Sequence, residues 1–391
     1  MAEIPKIRFK GFTEGWEERR FGDFASRRSD MLFSDEKNPC VEYEDVISEQ
    51  GCLNKNITKK DVKKSGIAFD SQNVLYGKLR PYLHNWLMPD FKGVAVGDWW
   101  VLNPININRN FLYRLLQTPL YDKTANQSSG TKMPRADWNL VSNTKFWIPL
   151  SAVEQHQISD VFDSLDHLIT LHQYKCDETK ALKKYMLQKM FPKNGKKIPE
   201  IRFAGFTDDW EQRKLGDVFE EYSEKNHLEL PPLTIIQGGG TVLREKSDRN
   251  LQYDKSSLPG YKMVRKDDFI VHLRSFEGGL EKANSDGVIS PAYHTFHGMD
   301  TDSRFYYPFF RSRHFIDVLL KPHVYGIRDG KSIDIDGMKT IMIPVPSYEE
   351  QKEIGSYIET LDHLITLHQR KCDELKEVKK FMLQNMFPQK G

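Results

Sequence analysis

Cysteine is scarce in this chain, and its few copies are not arranged for metal binding. Only four of 391 residues are cysteine: Cys40, Cys52, Cys176 and Cys372. None forms a C-x-x-C pair, so the sequence excludes a zinc ribbon and a disulfide framework. Cys176 and Cys372 lie at matching places of an internal repeat, in helical sequence, where we expect small buried apolar side chains.

Long apolar runs and an excess of one charge are also missing. The chain contains no run of about 18 apolar residues, which is the length needed to span a bilayer. The opening MAEIPKIRFKGF lacks the apolar part of a secretory signal, so we predict a cytoplasmic protein with no membrane partner. The 57 basic and 55 acidic residues leave a net charge of +2, so any nucleic-acid surface must be local. The length suffices for two domains with their own cores.

Sequence motifs of common enzyme classes are absent as well. The chain has neither G-x-x-x-x-G-K-[ST] for nucleotide phosphates nor G-x-S-x-G of serine hydrolases. QGGGT (237–241) lacks the G-x-G-x-x-G spacing and indicates a flexible loop. PDFKG (89–93) and IRDGKSIDID (327–336) place acids near lysine, but turns explain them more simply than nuclease metal sites. No catalytic motif survives this search, and we predict no catalytic residues and no metal site.

What the chain has instead is a double internal repeat. LDHLITLHQYKCDETKALKKYMLQKMFP (165–192) returns as LDHLITLHQRKCDELKEVKKFMLQNMFP (361–388), with 22 of 28 positions identical. A shorter signature, IPKIRFKGFTEGWEERRFGDF (4–24), returns as IPEIRFAGFTDDWEQRKLGDV (198–218), with 13 of 21 identical. The regions between these copies align poorly. We infer one scaffold that carries two different surfaces.

The repeats divide the chain into two domains and two long helices. The variable regions alternate short runs rich in Val, Ile, Phe, Trp and Tyr with turn residues, and helical stretches such as 110–121 interrupt them. This pattern predicts an α/β (α+β) fold with mostly antiparallel sheets. The predicted parts are a first domain at 1–150, a first helix at 151–192, a second domain at 193–345 with a polar linker at 193–199, and a second helix at 346–391.

Apolar residues recur every three or four positions in both helical segments. Each helix of about 35 to 38 residues would be roughly 50 to 57 Å long. A lone helix of this kind would leave its apolar stripe in water, so we expect the two to pack antiparallel, with the domains related by a pseudo-two-fold axis. The residues predicted to form this spacer and its subunit contacts are Leu165, Leu168, Ile169, His172, Leu361, Leu364, Ile365 and His368.

Basic and aromatic residues interleave in two segments of each domain. LYGKLRPYLHN (75–85) and FIVHLRSFEGG (269–279) place them at alternate positions, which a strand would send to one face. SSGTKMPRADW (128–138) and YGIRDGKSIDI (325–335) are loops that align at an offset of 196. Such residues suit phosphate contacts and guanine recognition, although a solvated loop is an alternative for any one of them. The predicted DNA-binding residues are Lys78, Arg80, Tyr82, His84, Lys132, Arg135, His272, Arg274, Arg328 and Lys331.

Together these motifs resemble the specificity subunits of type I restriction-modification systems. The resemblance covers the whole chain. It rests on IRFxGFTxxWExRxxGD opening each half, on LYGKLRPYL and GVISPAYHTF in the variable regions, on IPLSAVEQHQI and VPSYEEQKEI before the helices, and on LDHLITLHQxKCDExK within them. One departure is Leu150, which stands where the second half has Pro346.

The resemblance implies a non-catalytic adaptor. Each variable region would be a target recognition domain that reads one half of a bipartite, asymmetric site in double-stranded DNA, and the paired helices would set the gap. Two modification subunits, which bind S-adenosylmethionine and methylate adenine, and two restriction subunits, which use ATP and Mg²⁺, would assemble on it. Two hypotheses remain beside this one: a stand-alone DNA methyltransferase or nuclease, and a structural coiled-coil protein whose variable domains bind other proteins.

Overall fold

The computed structural model describes residues 4–57, 63–127, 133–192, 196–247, 255–326 and 331–388. The chain divides into two compact units. Unit 1 comprises Met1–Gln173 and Gln369–Gly391, and unit 2 comprises Tyr174–His368. Each unit therefore contains one signature, one variable region, the first part of the long helix that follows it, and the last part of the other long helix.

Unit 1 is a mixed α/β domain built on small sheets. Its strands are Glu17–Arg20, Ala25–Arg27, Met31–Phe33, Cys40–Val41, Val46–Ile47, Cys52–Leu53, Ser65–Phe69, Val74–Gly77, Trp86–Leu87, Gly93–Ala95, Trp99–Pro104 and Lys145–Ile148. Its short α-helices are Phe21–Phe24, Arg109–Leu115, Pro119–Ala125 and Trp138–Asn143. The pairing of Gly93–Ala95 with Cys40–Val41 is parallel, and the other strand pairs among the described residues of this unit are antiparallel.

Unit 2 has the same mixed character. Its strands are Glu211–Lys214, Phe219–Tyr222, Leu233–Ile236, Gly240–Leu243, Lys262–Val264, Phe269–Val271, Glu281–Lys282, Gly287–Ile289, His294–Gly298, Val324–Tyr325, Ser332–Ile333 and Met342–Val345. Its short helices are Leu215–Val218, Ser275–Gly278, Ser303–Phe310, Ile335–Lys339 and the π-helical turn Phe315–Leu320. These strands pair antiparallel. The fold class predicted from the sequence is confirmed.

One predicted helix is interrupted. The segment 110–121 forms two helices, Arg109–Leu115 and Pro119–Ala125. Proline has no backbone N–H to continue the first helix, and Thr118 caps the second by accepting from the Tyr121 N–H (3.4 Å). The apolar spacing of the sequence did not reveal this break.

Each signature pairs with the last strand before its long helix. Glu17–Arg20 pairs antiparallel with Lys145–Ile148, and Glu211–Lys214 pairs in the same way with Met342–Val345. The two ends of each variable region therefore meet at the start of a long helix.

A buried carboxylate ties each signature to that helix. Arg8 donates to Glu154 from Nε (2.6 Å) and Nη2 (2.8 Å), and the Trp16 indole N–H donates to the same carboxylate (3.2 Å). The corresponding residues of unit 2 make the same bonds at 2.7, 2.7 and 3.0 Å: Arg202, Trp210 and Glu350. A buried carboxylate is costly unless it is paired and hydrogen-bonded. This joint explains why arginine, tryptophan and glutamate recur in both halves.

The glutamine after each glutamate ties the variable region to the helix. Gln155 Oε1 accepts from the Asn108 backbone N–H (2.7 Å), and Gln155 Nε2 donates to the Pro149 carbonyl (2.9 Å). Corresponding bonds of 3.0 Å each occur in unit 2 between Gln351, Asp302 and Pro346. The departure at Leu150 leaves this joint intact, because the Pro149 carbonyl takes the bond.

The two long helices span Ala152–Lys189 and Tyr348–Asn385, 38 residues each. The serine before each one favours its start: Ser151 Oγ and Ser347 Oγ accept from the N–H of the glutamate three residues on, at 3.3 and 3.4 Å. Among the described residues, no helix is long and apolar enough to cross a membrane.

Within each unit the two long-helix segments run antiparallel. In unit 1, the Asp166 carboxylate lies 2.7 Å from Lys379 Nζ, and the Ile169 carbonyl lies 4.0 Å from Cys372 Sγ. Residue numbers therefore increase along one segment in the direction in which they decrease along the other. Unit 2 repeats both contacts, at 2.5 and 3.8 Å, in the pairs Lys183–Asp362 and Cys176–Ile365. Antiparallel packing is confirmed within each unit, and both helical cysteines are buried as expected.

The predicted spacer residues divide into buried and exposed positions. Leu361 is buried, and Leu165 packs against the core of unit 1. Leu168 is 40% exposed, so the packed stripe is narrower than the sequence pattern indicated. The remaining five are half-buried: Ile169, His172, Leu364, Ile365 and His368. Their contact with partner subunits stays a prediction.

Aromatic residues form the centre of both cores, and each core includes the end of the other long helix. In unit 1, the Phe387 ring lies 5.3 Å from Phe111. In unit 2, Phe191 stacks on Phe305 at 5.1 Å. Burial of one such side chain contributes about 2 to 3 kcal/mol. Neither variable region therefore completes its core from its own sequence.

Candidate nucleic-acid interface

Strand register shows that the first basic loops of the two variable regions are equivalent. Gly77 pairs with Trp99 in unit 1, and Val271 pairs with His294 in unit 2. The residues that leave these strands are Lys78-Leu79-Arg80 and His272-Leu273-Arg274. Arg80 and Arg274 therefore occupy equivalent places. The residue two positions earlier differs, because it is lysine in unit 1 and histidine in unit 2.

In unit 1 this loop is not a strand, so the alternation predicted for its cations is wrong. The strand ends at Gly77, and Pro81–Leu83 forms a 3-10 turn. Arg80 and His84, on either side of the turn, have left-handed backbones with φ of 46° and 52°. Such a conformation is strained for non-glycine residues and persists only where the surroundings enforce it. The loop is therefore held in one shape.

Backbone hydrogen bonds bring the two predicted loops of unit 1 together. The Arg80 N–H donates to the Pro134 carbonyl (2.7 Å), and the Ala136 N–H donates to the Lys78 carbonyl (2.8 Å). The side chains of the first loop and of the segment around position 135 therefore share one surface. Lys132, predicted in the second loop, lies outside the described residues.

The cations on this surface differ in their pairing. Arg135 donates to Asp98 from Nε (3.1 and 3.2 Å) and Nη2 (3.0 Å), and Lys78 Nζ lies 3.6 Å from the same carboxylate. The Arg135 guanidinium holds the pKa of Asp98 below its usual range. Arg80 has no carboxylate at ion-pair distance among the described residues, and the neighbouring Tyr82 ring is exposed. Arg80 can therefore meet a ligand without first losing a partner.

His84 faces two carboxylates of its own unit. Its Nε2 lies 2.8 Å from Asp122, its Nδ1 lies 3.1 Å from Glu49, and its ring stacks on Trp86 with centroids 5.5 Å apart. The hydrogen bond with Asp122, supported by Glu49, raises the pKa of His84. These contacts make His84 an anchor of the loop, and its contact with DNA stays a prediction.

In unit 2 the equivalent loop also leaves its strand at once, so the predicted alternation is wrong here too. The strand ends at Val271, and Ser275–Gly278 forms a helical turn. The Arg274 side chain is 73% exposed, and its backbone N–H donates to His272 Nδ1 (3.3 Å). The neutral ring then carries its proton on Nε2, which has no hydrogen-bond partner among the described residues. Burial, with Arg311 nearby, lowers the pKa of His272 to about 4.

The second predicted loop of unit 2 also lies beside the first. The Lys331 ammonium stands over the Phe276 ring, 5.4 Å from its centre. A small cavity is lined by residues of both loops, including His272, Leu273 and Lys331. Arg328 lies outside the described residues. Each unit thus brings its two predicted loops together, although the DNA contacts themselves stay predictions.

Two acids with structural roles were missed in the sequence. Asp98 pairs with the cations of unit 1. Glu281, which is fully buried, accepts from the backbone N–H groups of Gly238 (2.7 Å) and Gly240 (3.1 Å) and from the Tyr307 hydroxyl (2.8 Å). The glycines of QGGGT are therefore fixed by a carboxylate, and the flexible loop expected there is wrong. A single acid beside an apolar run gave no signal that could have been interpreted.

Over the part of the chain that the structure describes, no group of three or more His, Cys, Asp or Glu side chains is placed to hold a metal ion. The described residues of the two loop surfaces present cations, exposed rings and hydrogen-bond donors, which are groups that suit recognition of an anionic partner.

Each of the two α/β units thus carries an equivalent basic loop and packs on long antiparallel helix segments. The family model for the type I restriction modification DNA specificity domain matches residues 13–181 and 300–377, more than half of the chain. The chain belongs to this family.

Curated relatives come from Methanocaldococcus jannaschii. The specificity subunit of the type I restriction enzyme MjaVIII is 22% identical over 407 residues, which cover 94% of this chain and 91% of the relative. The putative type I restriction enzyme MjaX specificity subunit is 25% identical over 250 residues, covering 60% and 56%.

Solved structures share the fold. The S subunit of a type I restriction-modification system from M. genitalium is 13% identical, covers 100% of both chains and has a TM-score of 0.63. A chain from a study of complex assembly and conformational transition in the type I system is 18% identical, covers 95% of this chain and 97% of that one, and has a TM-score of 0.50. At these identities the likeness concerns the fold alone.

Proposed function

We propose that this chain is the DNA sequence-recognition subunit of a type I restriction-modification complex, and that each unit reads one half of a bipartite site. The observation that carries this is the equivalent loop of the two units, with Arg80 in one and Arg274 in the other. Arginine is the side chain best suited to bidentate contacts with guanine edges and phosphates. Their neighbours differ, since Lys78 corresponds to His272.

The two half-sites should differ in sequence. A symmetric dimer reads a palindrome, whereas two diverged units read two different sequences. Unit 1 offers Arg80 and the exposed Tyr82 ring, and unit 2 offers Arg274 and the exposed Leu273 side chain. A leucine suits the methyl group of thymine, which is the apolar feature of the major groove. The site is therefore asymmetric.

The long helices serve as spacer and as docking surface. At 1.5 Å per residue a helix of this length spans about 57 Å, more than the roughly 34 to 36 Å of one duplex turn. Several apolar side chains along the helices are exposed: Leu168, Leu171, Leu182, Leu367 and Phe381. In this proposal two modification subunits dock there, and two restriction subunits complete the complex.

The chemistry belongs to those partners. They bind S-adenosylmethionine, ATP and Mg²⁺, and this chain binds no cofactor and catalyses nothing itself. The described residues of the loops present cations, exposed rings and hydrogen-bond donors, which suit recognition. Methyl transfer or cleavage by the purified chain alone would revive the enzyme alternative. Failure of the complete complex to retard any duplex at low salt would favour a protein that binds other proteins.

Exchange of one variable region tests the assignment of half-sites. Residues 38–125 are replaced by the equivalent segment of a relative, and methylated adenines are mapped in the genome of the host. One half of the methylated sequence should change while the other half stays. The matched chimera exchanges 232–319 and should change the opposite half. If either exchange altered both halves, the units would not read DNA independently.

A further inference from the structure

Asp98 lies among the predicted DNA-binding cations of unit 1, where contact with a polyanion gives no reason for an acid. It directly precedes the strand Trp99–Pro104, and its backbone carbonyl accepts from the Lys78 N–H (2.9 Å). Its place is therefore fixed by the same sheet edge that carries the first loop. Its carboxylate holds Arg135 at 3.0 to 3.2 Å from two nitrogens.

The geometry of this pair leaves part of Arg135 free. A guanidinium has five N–H groups, and Asp98 takes the edge formed by Nε and Nη2. The other edge, formed by Nη1 and the second proton of Nη2, makes no hydrogen bond among the described residues. The Arg135 side chain is 51% exposed. Asp98 thus fixes the orientation of the Arg135 guanidinium. The edge formed by Nη1 and Nη2 remains available to donate two parallel hydrogen bonds.

Such a fork matches one base in the major groove. Guanine presents O6 and N7 as two adjacent acceptors, and bidentate arginine is the commonest contact that recognises them. A phosphate can also take a bidentate contact, but its oxygens accept from many directions, so a freely moving cation can find one. The acceptors of guanine lie at fixed places in the plane of the base, so orientation of Arg135 by Asp98 is of most use against a base edge.

Unit 2 differs at both positions. At the 196 offset of the loops, Lys331 corresponds to Arg135, and its ammonium lies over the Phe276 ring. The residue before the strand that begins at His294 is Tyr293, which contacts His272 with ring centroids 6.2 Å apart. Lysine is a point charge that cannot form the bidentate fork. At this position, among the described residues, unit 1 has an oriented guanidinium and unit 2 has a lysine.

We propose that Arg135 reads a guanine in the half-site of unit 1 and that Asp98 is the positioning residue that orients it. This inference rests on the proposed function and specifies it further: the half-site assigned to unit 1 contains a G·C pair that this fork contacts. Arg80 and Lys78 then serve the neighbouring bases or phosphates.

The test uses the complete complex of this chain with its modification subunits. Each base pair of the mapped site is replaced in turn, guanine also by 7-deazaguanine, which lacks the N7 acceptor, and dissociation constants are measured. R135K should lower discrimination at one G·C pair by about 5- to 100-fold, the range of one bidentate contact, and leave the other positions unchanged. D98A should lower discrimination at the same pair, while affinity for unrelated duplex stays or rises because one negative charge is gone.

Two controls separate orientation from general damage. D209A removes an exposed acid of unit 2 that lies 4.0 Å from Lys197, and it should leave discrimination unchanged at every position. K331Q should affect the other half-site only. A collapsed loop would instead weaken binding to all duplexes, and this result with D98A would overturn the role of Asp98.

The inference and the proposed function fail in different ways. If the wild-type complex does not distinguish its site from unrelated duplex, the proposed function is wrong. If it does, but R135K and D98A discriminate as the wild type does, or the half-site of unit 1 has no G·C pair, only this inference is overturned.

Discussion

The Lys379 ammonium lies 2.7 Å from the Asp166 carboxylate, and the same carboxylate bonds Arg114 of the variable region at 2.5 Å. Asp166 therefore joins both long-helix segments of unit 1 to the recognition domain. The Arg114 side chain is 2% exposed and also pairs with Asp163. Burial lowers the pKa of Lys379, a sign that this cation depends on its partner.

Replacing Asp166 by asparagine should destabilise unit 1 by about 3 kcal/mol, because the buried Arg114 and the half-buried Lys379 both lose a counter-charge. K379M should cost less, since Asp166 then still serves Arg114. Urea unfolding measures both. The control D160N removes an exposed carboxylate of the same helix and should change stability by less than about 0.5 kcal/mol. Equal stability of D166N and D160N would show that the network contributes nothing.

The carboxylates that bind the signatures should be equally sensitive. E154Q and E350Q each leave an arginine fork and an indole N–H with one charged acceptor fewer, so we expect a loss of about 2 to 4 kcal/mol in the corresponding unit. Proteolysis should release the signature at 4–16 in E154Q and that at 198–210 in E350Q. E353Q, at an exposed position of the second long helix, is the matched control. If both signatures stayed resistant to the protease in these variants, the glutamates would not be what holds the signatures to the long helices.

The two loop histidines should respond to pH in opposite directions. The folded pKa of His272 is about 4, below its unfolded value. Its contribution to unit 2 is therefore full above pH 6.5 and is lost as pH falls towards 4, by about 2 to 3 kcal/mol. The pKa of His84 is raised, so its contribution to unit 1 is full below pH 6.5 and is lost as pH rises through the folded value.

Hydrogen exchange between pH 5 and 8 can separate these effects, after correction for the intrinsic exchange rate. Protection of 269–271 should fall towards acid in the wild type and stay level in H272Q. Protection of 74–77 should fall towards base and stay level in H84Q. If protection changed with pH in the same direction in both units, groups other than these two histidines would determine the pH dependence.

Charge reversal at the equivalent arginines should weaken DNA binding and spare assembly. R80E and R274E each replace a donor with an acid, and we expect a loss of about 10- to 100-fold in affinity for the target duplex. Size-exclusion chromatography should still show the full complex. R313E, on an exposed helix end of unit 2, is the charge-matched control. Unaltered affinity would remove these arginines from the proposed interface.

The long helices could be predicted because their signal is local. Three- and four-residue spacing and the near identity of two segments require no tertiary information. Their antiparallel packing followed from the need to bury an apolar stripe. Leu168 shows the limit, because the spacing could not tell which leucines lie at the rim of that stripe.

The sequence could locate the loops, but it could not predict their backbone conformation. Alternation of Lys78, Arg80 and Tyr82 resembles a strand, yet Pro81 and the bonds to a segment more than fifty residues away impose a left-handed turn. Asp98 is adjacent to the cations only through strand pairing. Long-range contacts of this kind leave no periodic trace, so the partner of Arg135 became visible only in the fold.

Among the described residues, the side-chain amides of Gln155 and Gln351 bind main-chain groups: an N–H at the start of a short helix and a carbonyl before the long one. These hydrogen bonds do not depend on which side chains the bound segment carries. A recognition domain of unrelated sequence can be received there if its backbone ends in the same two groups. New target specificities can then arise by wholesale replacement of a variable region, without compensating changes in the helices that receive it.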